Sequence, residues 1–154
     1  IDTAEQHPFD FQGLRGDSSD GYESLSVETV SRCLGRHPDS LGDYSLVGGE
    51  GKCHVERKSR EDLQSTLLGF SDGHRDRFLC ELENLSKIAA PLLVVECTKE
   101  DFVLNAPEYG KKTKQQNAKI LYRSIIAIEQ DFRVQVEWSG SRKMAQMDCF
   151  RWLW

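Results

Sequence analysis

The longest apolar run in the chain is "IAAPLLVV", residues 88–95. It falls far short of the roughly 20 residues a membrane-spanning helix needs, and it contains a proline. Its second half, read on as "PLLVVEC" (91–97), is short, continuous and branched, the mark of a buried strand. A buried strand must be covered, and the flanking sequence supplies the cover. Ahead of it, "RDRFLCELENLSKIA" sets Phe78, Leu82, Leu85 and Ala89 at helical spacing. Behind it, "KTKQQNAKILYRSIIAIEQDF" sets Leu121, Ile125, Ile128 and Phe132 on one helical face.

The remaining periods alternate in the same way. "SREDLQSTLLG" opens with Ser59 three residues before Asp62, a loose capping box, and reads as a helix to Gly69. "VETVSRCLG" (27–35), "DYSLV" and "CHVERKS" read as strands, and "RVQVEW" alternates Val134, Val136 and Trp138 as a half-buried strand does. "RKMAQMDCFRWLW" is helical, with Met147, Phe150 and Trp154 as a core or interface stripe. "FDFQGLRGDSSDGYES" (9–24), "GFSDGHRDR" and "CTKEDFVLNAPEYGKK" read as loops, and "LVGGEGKC" as a tight turn. Hairpins followed by alternating helices and strands imply an α/β fold, a central mixed β-sheet flanked by helices. A chain of 154 residues is enough for one domain, expected over 1–154.

Composition narrows the function. With 38% hydrophobic and 29% charged residues the chain is globular rather than disordered. The start "IDTAEQHPFDF" has no apolar signal segment, and a first residue Ile1 reads as a trimmed or excised end. The five cysteines form no CxxC pair, which points away from a disulfide framework or a zinc site and toward a reducing compartment: cytoplasmic, nucleoid-associated or nuclear. The four histidines lack metal-ligand spacing, and there is no phosphate loop, GxSxG or HExxH. A net charge of −5 argues against non-specific coating of nucleic acid but not against nucleic acid as a substrate. The charge is segregated: Lys111, Lys112, Lys114, Lys119 and Arg123 fall in one stretch without an acid. Lys119 and Arg123 are four residues apart, so they share a helical face that can track phosphates. The ordinary alternative is a solvated helix end.

The stretch "GDYSLVGGEGKCHVERKSREDL" (42–63) carries the candidate chemistry. Side chains alternate along a strand, so Glu56 and Lys58 point one way with His54, and Val55 and Arg57 the other. A four-residue loop "GGEG" would pair Val47 with Lys52 and set Asp43 opposite Glu56 on one face; a five-residue loop would set it opposite Arg57. Facing carboxylates repel. A divalent cation between them removes that cost, and Lys58 offsets part of it. Two carboxylates and a lysine are the minimum for metal-assisted phosphodiester hydrolysis, with Mg²⁺ or Mn²⁺ on hard oxygen ligands. On spacing alone, D…ExK is more often solvated surface charge.

The flanking residues carry a resemblance. Gly42-Asp43, twelve residues, Glu56-Arg57-Lys58, three residues, then Asp62 resembles the signature of the XPF-type structure-specific endonucleases of the PD-(D/E)xK nuclease superfamily. "IDTAEQHPFDF" looks like that family's opening strand, and "RFLCELENL…PLLVVE" like its helix and central strand. The resemblance implies a PD-(D/E)xK, restriction-endonuclease-like fold. It implies Asp43 and Glu56 as metal ligands, with the Arg57 carbonyl nearby, and Lys58 as the catalytic lysine. Asp2, as a further ligand, and Glu5 would lie near the same site, and Asp62 would border it. Arg57 would be catalytic or, turned away from Glu56, structural; Glu96 is a weaker candidate that would pair with an arginine. The family's opening strand reads Asp-Thr-Arg-Glu where this chain has Ala4, which implies reduced activity. Many relatives continue into a helix-hairpin-helix domain; here the expectation is a compact member or a piece that stops before one.

The function expected is a Mg²⁺-dependent DNA endonuclease acting on branched or flapped DNA, with a possible homodimer through the C-terminal helices. The alternatives are a non-catalytic DNA-binding or scaffold member of the fold, and another PD-(D/E)xK enzyme such as a restriction enzyme or junction resolvase.

Overall fold

A computed structural model describes residues 1–17, 24–36, 39, 41–70 and 73–154. The central sheet has four strands in the order β3 (Tyr44–Ser45), β4 (Cys53–Lys58), β5 (Ala90–Val95) and β6 (Gln135–Trp138). The first pair is antiparallel and the other two are parallel, so the sheet is mixed, as the alternating periods predict. A separate ribbon pairs β1 (Arg15–Asp17) with β2 (Ser24–Ser26).

The parallel strands need crossovers, and the helices supply them. α1 (Arg60–Leu68) and α2 (His74–Leu85) join β4 to β5; α3 (Lys99–Leu104) and α4 (Lys114–Asp131) join β5 to β6. All four pack on one face of the sheet. Leu63, Leu67, Phe78, Leu82, Leu85, Phe102, Leu121, Ile125 and Ile128 meet Leu93, Val95 and Val136 in one core cluster. The last helix, α5 (Arg142–Leu153), covers the other face, where Ala145, Cys149 and Phe150 meet Tyr44, Val55, Leu92 and Val94 with Phe9 and Phe11. Burying one such Leu or Phe is worth about 1.5–3 kcal/mol, so β5, covered on both sides, anchors the domain.

Helix boundaries follow capping chemistry. Ser59 accepts a hydrogen bond from the Asp62 amide to start α1, and Gly69 ends it in the left-handed conformation. Thr113 and Gln116 form a full capping box at the start of α4.

Several expectations are corrected. The 97–112 segment, read as a long loop, contains α3: Thr98 caps it by accepting from the Asp101 amide at 3.0 Å, and Phe102 is buried. The 9–24 segment, also read as a loop, contributes β1 and the first residue of β2; residues 18–23 lie outside the described residues. "VETVSRCLG" is not a strand. It makes a single bridge, Arg32 to Asp2, because Val27, Val30 and Cys33 recur every third residue and give no alternating face to bury. The opening segment forms that bridge and no longer strand; its Asp2 amide donates to the Asp43 carbonyl at 2.7 Å, and Asp2 Oδ1 accepts from the Ala4 amide at 2.6 Å and turns the chain. "DYSLV" is a strand only at Tyr44–Ser45, since Leu46 already begins the turn by accepting from Gly49. α2 starts inside the stretch read as "GFSDGHRDR" and stops at Leu85, before Ala89. On α5, Phe150 is buried, but Met147 and Trp154 are exposed; Ala145 and Cys149 complete the buried stripe instead.

Candidate active site

The register of the β3–β4 hairpin decides where the acids meet. Tyr44 pairs with Val55 and Ser45 with His54, the register that sets Asp43 beside Glu56. The Asp43 amide donates to Val55 O at 2.9 Å, and the Arg57 amide donates to Asp43 Oδ2 at 2.8 Å. Gly42 makes the approach possible. Its φ is 97°, and a Cβ there would sit 3.0 Å from the Val55 carbonyl oxygen.

Strand alternation then sorts the motif between the two faces of the sheet. Glu56 and Lys58 lie beside Leu93 and Val95, on the side of α1 and α2; Arg57 lies beside Val94, on the α5 side. Lys58 Nζ is 2.5 Å from Glu56 Oε1 and 3.6 Å from Asp62 Oδ2, and it rests 5.4 Å from the Phe78 ring centroid. Glu56 is 2% exposed, and its Oε2 is buried without a hydrogen-bond partner. Such an orphan costs about 1–3 kcal/mol, more when charged.

Electrostatics follow from this crowding. Burial pushes the Asp43 carboxyl up to about 7; the Lys58 ammonium opposes the shift and the charge of Glu5 adds to it. Burial also raises Glu56 well above the usual carboxylate range, with Asp43 adding and Lys58 opposing. Burial would lower the Lys58 pKa, but Glu56, Glu81 and Asp62 outweigh it and raise the value, so the side chain is an ammonium at neutral pH. The two carboxylates and one ammonium thus hold a proton that a divalent cation would displace.

These groups open onto a cavity of about 660 Å³ whose lining includes Asp2, Ala4, Asp43, Glu56, Lys58 and Asp62. It sits at the carboxyl end of β4, where ligands of parallel strands are commonly held. Asp2 is 7% exposed, and both its carboxylate oxygens already accept amides, from Ala4 and from Leu34 at 2.9 Å. Glu5 does not line the cavity. With Glu96 it holds Arg57 on the opposite face: Arg57 reaches Glu96 Oε1 at 2.8 Å and Glu5 Oε1 at 3.3 Å, and Arg142 reaches the same Glu96 oxygen at 2.7 Å. The basic run is elsewhere. Lys111 and Lys112 border a separate hollow with Tyr109, and Lys114, Lys119 and Arg123 are exposed along α4; none lines the cavity.

Other lining residues escaped the sequence reading: Arg36, His74, Arg77 and Glu81. The last three share the Phe78 face of α2 at helical spacing, a signal legible only once the rotation of α2 is known.

No three Asp, Glu, His or Cys side chains among the described residues form a ready-made metal cage. The Asp43–Glu56 pair still suits a hard cation. Its donors are oxygens, both are desolvated, and Glu56 Oε2 has no other partner.

The structure is similar to that of XPF from Aeropyrum pernix, with a TM-score of 0.55 and 18% sequence identity, over 80% of this chain and 51% of that one. The chain therefore spans about half the length of that protein. No curated protein sequence matches it. The model of the ERCC4 domain matches residues 9–146 and so takes in the β3–β4 motif, both crossovers and the start of α5. By that match the chain belongs to the ERCC4 domain family, and its fold is similar to that of XPF from Aeropyrum pernix.

Proposed function

We propose that the domain is a metal-dependent endodeoxyribonuclease that hydrolyses phosphodiester bonds in branched or flapped DNA. The observation that carries the reading is the desolvated Asp43–Glu56 pair with its orphaned Glu56 oxygen beside Lys58. Asp43 and Glu56 would hold Mg²⁺ or Mn²⁺, with Asp2 along the same cavity wall. When bound, the ion lowers the pKa of a water and screens charge on the phosphoryl oxygens.

The chain's own groups do the rest. The Arg57 amide fixes the rotamer of Asp43. Lys58 stays protonated, so it acts as a cation and hydrogen-bond donor toward the oxygen on which negative charge develops. Asp62 and the Phe78 ring hold that ammonium in place from the two helices. In the reaction water adds to phosphorus, the bond from phosphorus to the leaving sugar oxygen breaks, and a proton ends on that oxygen.

The test is cleavage of labelled flap, splayed-arm, four-way-junction and plain duplex DNA, each with Mg²⁺ or EDTA. Cutting of the branched substrates with Mg²⁺ only, lost in Asp43→Ala and Glu56→Ala, is the expected result. Cleavage in EDTA, or both variants cutting at the wild-type rate, overturns the assignment.

A further inference from the structure

The cavity has a wall that the carboxylate–lysine motif does not use. α2 turns His74, Arg77, Phe78 and Glu81 toward it, positions i, i+3, i+4 and i+7 of one helix. Phe78 fixes the rotation: it is 3% exposed, packed in the core and under Lys58. With Phe78 so anchored, His74 and Arg77, up to one turn earlier, stand at the cavity mouth, and Arg36 lines the same cavity from the segment before β3.

The guanidinium groups of Arg36 and Arg77 have no ion-pair partner among the described residues, whereas Arg57, Arg60 and Arg142 are each paired. Cations in the first turn of a helix also oppose its dipole, at about 0.3–1 kcal/mol each. Here Arg75 and Arg77 share that turn, and Asp76 is its only acid. An anion in the cavity would offset both costs. The floor offers that anion only Lys58, which Glu56 and Asp62 already engage; the wall offers two arginines. A single nucleic-acid strand carries one charge per about 3.4 Å of rise, so it presents a row of phosphates rather than one isolated anion. The cationic surface also continues outward. Tyr109 stacks on Phe70 at 3.9 Å between ring centroids, which brings the loop bearing Lys111 and Lys112 to the turn between α1 and α2.

We propose that Arg36 and the His74–Arg77 face of α2 form a subsite for the phosphodiester backbone, so that a DNA strand enters the cavity over α2 rather than along α4. The inference rests on the nuclease reading only for what happens after binding.

The experiment is fluorescence anisotropy of a fluorescein-labelled flap DNA, titrated with protein in EDTA over a range of salt. Arg36→Glu and Arg77→Glu should each weaken binding about tenfold and flatten the slope of log K against log salt by about one contact's worth. Arg36→Gln and Arg77→Gln should shift in the same direction by less, with wild-type circular dichroism, and Lys119→Glu should bind as wild type does. Unchanged affinity and slope in both Arg→Glu variants, a loss confined to Lys119→Glu, or no salt-sensitive binding by the wild type overturns the subsite. Wild-type binding that depends on these arginines, with no cleavage in Mg²⁺, overturns the nuclease reading and leaves the subsite standing.

Discussion

Replacing Asp43 with Asn should stabilise the metal-free protein by an amount that depends on pH. In the folded chain burial holds the Asp43 pKa at about 7, against about 3.9 in an unfolded chain. Between those values the folded state binds more protons than the unfolded one, so stability falls as pH rises through that window. Below it the carboxyl is neutral in both states and resembles an amide, and the two proteins should be alike. Above it the wild type bears the full cost. A shift of about 3 units at 1.36 kcal/mol each sets a ceiling of about 4 kcal/mol; because Glu56 shares the proton, about 3 kcal/mol is a fair expectation. In a domain of this size that corresponds to roughly 6–12 °C in Tm. The assay is thermal unfolding in EDTA at about pH 4 and about pH 8. The Asn variant should melt with the wild type at the lower pH and well above it at the higher, and Mg²⁺ should narrow the gap by stabilising the wild type alone. An equal Tm difference at both pH values would show that Asp43 is solvated and ionised, and the picture of a desolvated acid pair would fail.

Lys58→Ala should lower kcat far more than it weakens DNA binding, because the ammonium acts on charge that develops in the transition state; a rise in KM with kcat intact would place Lys58 in ground-state binding instead. Ala4→Arg puts a guanidinium on the cavity wall that Ala4 lines and should raise the cleavage rate; an unchanged rate would mean that Arg36 and Arg77 already supply that charge. The exposed Met144, Met147 and Trp154 of α5 are residue types enriched at interfaces, so light scattering at tens of micromolar should report a dimer, and a strictly monomeric mass would remove that expectation.

Much of the site was legible because a strand has a period of two and a tight turn fixes register. From "GDYSLVGGEGKCHVERK" alone, a four-residue turn sets Asp43 against Glu56 and sends Arg57 the other way, and the structure pairs the strands in that register. The buried strand 91–95 and the helical faces beside it followed from uninterrupted apolar spacing. The failures were of other kinds. α3 is only six residues long, too short for a periodic stripe, and its signal was the Thr98–Asp101 cap alone. The short ribbon β1–β2 has no apolar alternation to announce it. The basic run 111–123 stood out because charge density is visible in one dimension, yet it lies off the cavity. His74 and Arg77 reach the cavity because Phe78 orients α2, a fact of packing between elements that no local pattern encodes.

The cluster of Arg57, Glu5, Glu96 and Arg142 has a bearing on the order in which a ribosome can finish this domain. Arg142 donates to the carbonyl of His7 across 135 residues of sequence, and to that of Pro8. At about 5–20 residues per second, residues 7–9 therefore wait on the order of ten seconds after synthesis for their last partner. Until then Arg57 faces two carboxylates alone, and Val55, Leu92 and Val94 lack their cover from α5. The hairpin and both crossovers can form on a nascent chain, but the second face of the sheet cannot close. We expect chains stalled just before Arg142 to bind a hydrophobic dye and to be cut by protease near residues 5–11; resistance equal to that of the complete domain would refute this. β4, which bears Glu56 and Lys58, is thus covered on its second face only once α5 has been made, long after its own residues have left the ribosome.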